Sequence, residues 1–114
     1  MMGKVLSVNI AKTVRTGDWT GSEGRTGIDK QPVAHSVKFQ NNCVAGDSVI
    51  DIKVHGGYDK AVYAYSIEDA RWWEAAIQRP ISHGAFGENL TIEGIDINSA
   101  RIGERWKVGS VILE

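Results

Sequence analysis

The side chains best suited to chemistry fall into two short stretches, His55-Gly56-Gly57-Tyr58-Asp59-Lys60 and Phe86-Gly87-Glu88-Asn89. The first places an imidazole, a carboxylate and an ammonium around a Gly-Gly step. Glycine accepts positive φ and carries no Cβ, so Gly56 and Gly57 can close a tight turn and let an anion approach the backbone amides. An ordinary hairpin turn satisfies the same local facts. In the second stretch Glu88 can accept hydrogen bonds, and Asn89 can both accept and donate. Such a pair can meet a ligand edge that both donates and accepts, or else cap nearby backbone. Lys30, in Asp29-Lys30-Gln31-Pro32-Val33, is a point cation at a predicted strand end and suits a phosphate, with Arg25 as a second cation close by in sequence.

Cys43 is the only cysteine, which rules out an intramolecular disulfide and a cysteine-based zinc knuckle. Nothing basic lies within a few residues to stabilise a thiolate, so Cys43 reads as a small half-buried apolar residue. No two of His35, His55 and His83 stand at a familiar ligand spacing, and no metal site is assigned to them.

These residues need a frame to hold them. Ile50, Ile52 and Val54 alternate with Asp51 and Lys53, the period-two mark of a half-buried strand over 49–54, and a second β-rich run over 61–65 leaves the Gly-Gly turn. Leu6, Val8 and Ile10 share one face of a first strand. Residues 11–27 lose the apolar period and read as a long loop or loose hairpin. Residues 28–33, with Pro32 confined to an edge or strand end, and 35–40, with Val37 and Phe39 alternating, add two strands. Gly46-Asp47 is a turn signal in the break over 41–48.

Ser66 N-caps a helix predicted from Ile67 to about Gln78, with Glu68 and Asp69 favoured in its first turn and Pro80 ending it. Ile67, Ala70, Trp73 and Ile77 recur at three and four residues, so that stripe is expected to face the core, with Trp72 beside it. Residues 83–89 form a loop before a strand at 90–92. Gly109-Ser110 suits a two-residue hairpin between strands at 105–108 and 111–113. That last strand is short and leaves an edge through which a second chain could pair. About seven short strands and one clear helix predict a mainly β fold, a closed or nearly closed barrel.

A chain of 114 residues makes a single domain, with 42% hydrophobic and 24% charged residues typical of a soluble globular protein. Lys plus Arg number 13 against 14 acidic residues, without a basic stripe, which argues against a nucleic-acid partner. No apolar run approaches the ~20 residues of a membrane helix, and no signal-peptide pattern begins the chain, so a cytoplasmic location is expected.

The ordered set His55-Gly56-Gly57, Asp59-Lys60-Ala61-Val62-Tyr63, Trp72-Trp73-Glu74, Phe86-Gly87-Glu88-Asn89-Leu90 and Ile102-Gly103-Glu104-Arg105 resembles the MOSC domain family, named for the C-terminal part of molybdenum cofactor sulfurase. The resemblance is nearest to small bacterial members linked to detoxification of hydroxylaminopurine, and it spans nearly the whole chain. It implies a β-barrel-like MOSC fold and a molybdenum-pterin cofactor, with Lys30 near the cofactor phosphate and His55, Gly56, Gly57, Lys60, Glu88 and Asn89 completing the binding set. It further implies either sulfur carriage, with a pyridoxal-phosphate cysteine desulfurase as partner, or reduction of N-hydroxylated compounds with a redox partner. In the family the last strand continues into a segment ending in a cysteine. The sequence ends at Glu114, so the domain over 1–114 is expected to lack that segment, and an alternative follows in which it is a truncated, non-catalytic binding module or barrel remnant completed by a partner strand.

Overall fold

In chain order the strands are β1 (Lys4–Ile10), β2 (Arg15–Thr16), β3 (Arg25–Thr26), β4 (Gln31–Pro32), β5 (Phe39–Gln40), β6 (Cys43–Val44), β7 (Ala64–Ser66), β8 (Leu90–Glu93), β9 (Trp106–Val108) and β10 (Val111–Leu113). Helix α1 (Ile67–Ile77) separates β7 from β8, and a 3₁₀ turn covers Ile97–Ser99. The computed structural model describes residues 2–11, 15–16, 25–40, 43–48 and 60–114. The strand predicted over 49–54 and the Gly-Gly turn after it lie outside the described residues.

The alternating Leu6, Val8 and Ile10 make β1 the longest described strand, and partners pair along both its edges. Antiparallel β8 sets Val5 opposite Ile92 and Val8 opposite Leu90, with a bulge between Val5 and Ser7. On the other side β4 sets Pro32 opposite Asn9. Pro32 has no N–H to give a further strand, which is why it is tolerated on this outer position. Beyond β8 lies β7, parallel to it, giving the order β4-β1-β8-β7. Parallel neighbours require a crossover rather than a hairpin, and α1 with the loop after it provides one.

The remaining strands pair as separate ribbons, β2 with β3, β5 with β6 and β9 with β10. The expected closed barrel is therefore corrected: among the described residues the fold is mainly β with one helix, but its sheets do not close. Closure requires the outer strands of a sheet to meet at a consistent shear. Here the outer strands β4 and β7 are only two and three residues long, and each ribbon pairs within itself. The predicted strand over 35–40 likewise shrinks to β5, paired with β6. The expected β9–β10 hairpin does form, with Val108 opposite Val111 across Gly109-Ser110.

The helix begins as its sequence requires, with Ser66 Oγ accepting from the Asp69 amide and Glu68 and Asp69 in the first turn. It ends at Gln78, whose φ of 55° is left-handed, two residues before Pro80. Ile67 and Ala70 are buried against β7 and β8, whereas Trp73 and Ile77 are each 43% exposed and Trp72 is 63% exposed. The predicted core stripe is thus covered only over its first turn. An eleven-residue helix runs about 16 Å, while the three- and four-residue strands it packs against, β7 and β8, cover roughly 10–13 Å, so they cannot cover all of α1. No described helix is long and apolar enough to cross a membrane.

Candidate functional site

Polar side chains are almost as prominent in the interior as apolar ones. Beside Ile10, Ala11, Val44, Ile67, Ala70, Leu90 and Ile92, the buried residues include Asn9, Lys30, Ser66, Glu88, Asn89 and Thr91. A buried ammonium is costly unless its donors are matched. Lys30 Nζ lies 2.8 Å from both carboxylate oxygens of Asp47 and donates to the Gly27 carbonyl at 3.2 Å. Three donors thus meet three acceptors.

Asp47 is the hub of this network. It also accepts from the Ala11 amide at 2.7 Å and from Asn89 Nδ2 at 2.8 Å. Asn89 Nδ2 donates in addition to the Asn9 carbonyl, and its Oδ1 accepts from the Tyr63 amide. Asn9, fully buried, donates through Nδ2 to the Glu88 carbonyl and to Thr91 Oγ1 and accepts from Ser7 Oγ at 3.0 Å. Since the one Ser7 hydroxyl hydrogen goes to Asn9, the 2.9 Å contact between Ser7 Oγ and His83 Nδ1 requires the imidazole to be the donor. A neutral His83 then keeps its lone pair on Nε2. Among the described residues no buried side-chain nitrogen or oxygen lacks a partner.

The loop before β8 is packed onto this network by two glycines. Gly84 has φ of 87°, and a Cβ there would lie 2.6 Å from the Lys30 carbonyl oxygen. Gly87 has φ of 83°, and a Cβ there would lie 3.0 Å from Ile28 Cγ1. Only glycine fits both the backbone angle and the close approach. Glu88 folds back into its own loop, where Oε1 accepts from the Phe86 amide at 3.1 Å. Burial pushes the Glu88 carboxyl above the ordinary glutamate value, and hydrogen bonds from the amides of Glu88, Phe86 and Gly84 pull the other way. The Tyr63 phenol is also raised, first by burial and then by the charges of Tyr65 and Glu88.

Three residues proposed from sequence, Lys30, Glu88 and Asn89, are therefore brought together, all buried and all bonded within the chain. Lys60 is exposed at the approach to β7. His55, Gly56 and Gly57 lie outside the described residues. Cys43 sits half-buried in β6 with its thiol on Gln40 Oε1 at 2.9 Å. Sequence reasoning missed Asp47, which it treated as a turn residue, and Asn9 and Tyr63, which it treated as strand residues. A buried lysine demands a carboxylate partner, but nothing in the spacing between Lys30 and Asp47 indicates which one.

Comparison with known proteins places the chain in a wider group. A family model described as the MOSC domain matches residues 51–114. Over 110 residues, 96% of its length, the chain is 36% identical to the Uncharacterized protein YflK of Bacillus subtilis (strain 168). The chain belongs to the MOSC domain family. This family is associated with binding of the molybdenum cofactor. The MOSC domain described here also superposes on the crystal structure of YiiM from Geobacillus stearothermophilus with a TM-score of 0.70 and 30% identity over 97% of its length. It spans about half of each relative, 49% of YflK and 48% of YiiM. The MOSC match contains Lys60, Tyr63 and the 83–89 loop, while Asn9, Lys30 and Asp47 precede it.

Proposed function

We propose that this MOSC domain binds the molybdenum-pterin cofactor in the cytoplasm and serves either sulfur carriage or reduction of N-hydroxylated compounds such as hydroxylaminopurine. Membership of the family supports the reading, and one observation carries it to particular residues. The 83–89 loop, which holds the Phe86-Gly87-Glu88-Asn89 motif, is locked to β1, to Asp47 and to Tyr63 by hydrogen bonds. A surface fixed in this way requires no ordering when a ligand arrives, which favours tight binding.

The polar atoms test the fit of the group. The side chains of Lys30, Glu88 and Asn89 are already engaged within the chain, so their part is to hold the loop. Lys60, exposed at the approach to β7, would supply a cation for the cofactor phosphate, and Tyr63 presents a half-exposed ring. When bound, the cofactor would supply the metal-centred redox or sulfur chemistry. The chain's own residues bind and orient it. A cysteine desulfurase using pyridoxal phosphate, or an electron donor, would be the corresponding partner.

The test is the molybdenum and pterin content of the protein purified from cofactor-replete cells, beside His55→Ala and Lys60→Ala. Pterin in the parent and its loss from either variant supports the reading. A soluble, folded parent without pterin overturns it. A second reading, a non-catalytic module completed by a strand from another polypeptide, is favoured by a cleft of about 460 Å³ lined by Phe39, Val62, Trp106 and Leu113 next to the short strands β7 and β10. Strand addition there would satisfy open backbone groups. Sedimentation of the isolated domain as a stable, folded monomer that takes up pterin would leave that reading without support.

A further inference from the structure

Three aromatic rings stand in series where β7 meets the 83–89 loop. Tyr65 stacks on Phe86 with centroids 4.3 Å apart and planes 22° apart, and Tyr63 meets Tyr65 edge to face at 6.4 Å and 77°. Both geometries are favoured by the ring quadrupole. Tyr63 immediately precedes β7 and Tyr65 lies within it, their rings in contact, while Phe86 arrives from the loop. None of the three belongs to the buried core: Tyr65 and Phe86 are half-buried, and Tyr63 is 46% exposed.

A single exposed tyrosine needs no explanation. Tyr63 differs because its mount is rigid. Its amide donates to Asn89 Oδ1 at 3.1 Å, and its carbonyl accepts from the amides of Asn89 at 2.7 Å and Leu90 at 3.1 Å. Only the two side-chain torsions remain free, and Tyr65 packs against the ring. A large ring presented at so small a cost in conformational entropy is the arrangement that binding surfaces use for flat ligands. Stacking asks only for a π face, which is why aromatic platforms hold heterocyclic bases without reading their edges.

We propose that Tyr63, braced by Tyr65 and Phe86, is a stacking platform for a planar bicyclic nitrogen heterocycle. The assignment rests on the reading that this domain takes such a ring. It adds the surface that would hold it, in addition to the residues inferred from sequence. The ring could be the pterin of a cofactor or the purine of an N-hydroxylated substrate, and the two sources are separable by experiment.

The whole chain, with Tyr63→Phe and Tyr63→Leu variants, is titrated with 2-amino-4-hydroxypteridine and separately with 6-hydroxylaminopurine, binding being followed by calorimetry and folding by circular dichroism. The platform predicts that the parent binds at least one of them, and that Tyr63→Phe stays within about twofold. Tyr63→Leu, which keeps apolar bulk but loses the π face, should weaken binding about 5- to 150-fold, the range of base–aromatic stacking. Preference for the pteridine points to the cofactor, and preference for the purine points to the substrate. Equal binding by folded Tyr63→Leu and parent, or no binding of either compound by the parent, overturns the platform. If purified parent lacks pterin yet binds an added heterocycle in a Tyr63-dependent way, the platform stands and the cofactor reading fails. If parent and Tyr63→Leu retain the same native pterin content, the reading stands and the platform fails.

Discussion

Asn89 holds Tyr63 by both ends of one residue: its side-chain Oδ1 accepts from the Tyr63 amide, and its own amide donates to the Tyr63 carbonyl. Its Nδ2 turns the other way, to Asp47 and the Asn9 carbonyl. One buried carboxamide therefore joins β1, the start of β7, the loop before β8 and the turn at Asp47. Asn89→Asp keeps the shape but loses both donors and sets a second carboxylate against Asp47. The expected cost is about 3–5 kcal/mol at neutral pH, measured by urea unfolding, since it leaves a buried charge uncompensated.

The Lys30–Asp47 pair is a second point of failure. Both side chains are almost fully buried, at 7% and 4% exposure. Asp47→Ala strands the ammonium and is expected to destabilise by about 3–5 kcal/mol, whereas Lys30→Met combined with Asp47→Leu should cost less than the sum of the single changes. A double-mutant cycle in urea gives the coupling. Additive single effects would show that the pair does not interact.

Glu88 sets a pH dependence with a definite sign. Its folded pKa is raised by burial, so the native state holds more protons than the unfolded chain between the ordinary glutamate value and the raised one. Stability supplied by this group is full below the unfolded value and is lost as pH rises through the folded one. Glu88→Gln cannot titrate, and its Oε1 can still accept from the Phe86 amide. The difference in unfolding free energy between parent and Glu88→Gln should therefore fall as pH rises across that window. A difference that stays flat with pH would show that Glu88 is not the titrating group.

Gln78 closes α1 in the left-handed region at φ of 55° and is exposed. A side chain there meets steric strain that glycine avoids, and glycine is the usual residue at this cap. Gln78→Gly is expected to raise stability by about 0.5–1 kcal/mol, visible as a higher urea midpoint with an unchanged slope. A lower midpoint would show that the Gln78 side chain contributes more than its backbone costs.

The features legible from neighbouring residues alone are local ones. Ser66 starts α1 and the chain turns out of it two residues before Pro80, because caps and proline act over one helical turn. Leu6, Val8 and Ile10 mark β1, Pro32 stays on an outer strand, and Gly109-Ser110 turns β9 into β10, because alternation, a missing donor and φ freedom are carried by neighbouring residues. The ordered motifs from His55 to Arg105 also sufficed to indicate the MOSC family. Contacts between residues remote in sequence emerge in the folded chain alone. Lys30 and Asp47 are seventeen residues apart, and Asn9 and Asn89 are eighty apart. No local pattern encodes that the carboxylate of a turn will neutralise a lysine that could equally have met a phosphate. Likewise the three- and four-residue spacing of α1 specifies a stripe but not the length of the sheet beneath it, so Trp73 and Ile77 stay half in water. The sheet remains open among the described residues for the same reason: closure depends on the lengths and meeting of strands, and a strand's own alternation says nothing of its second neighbour.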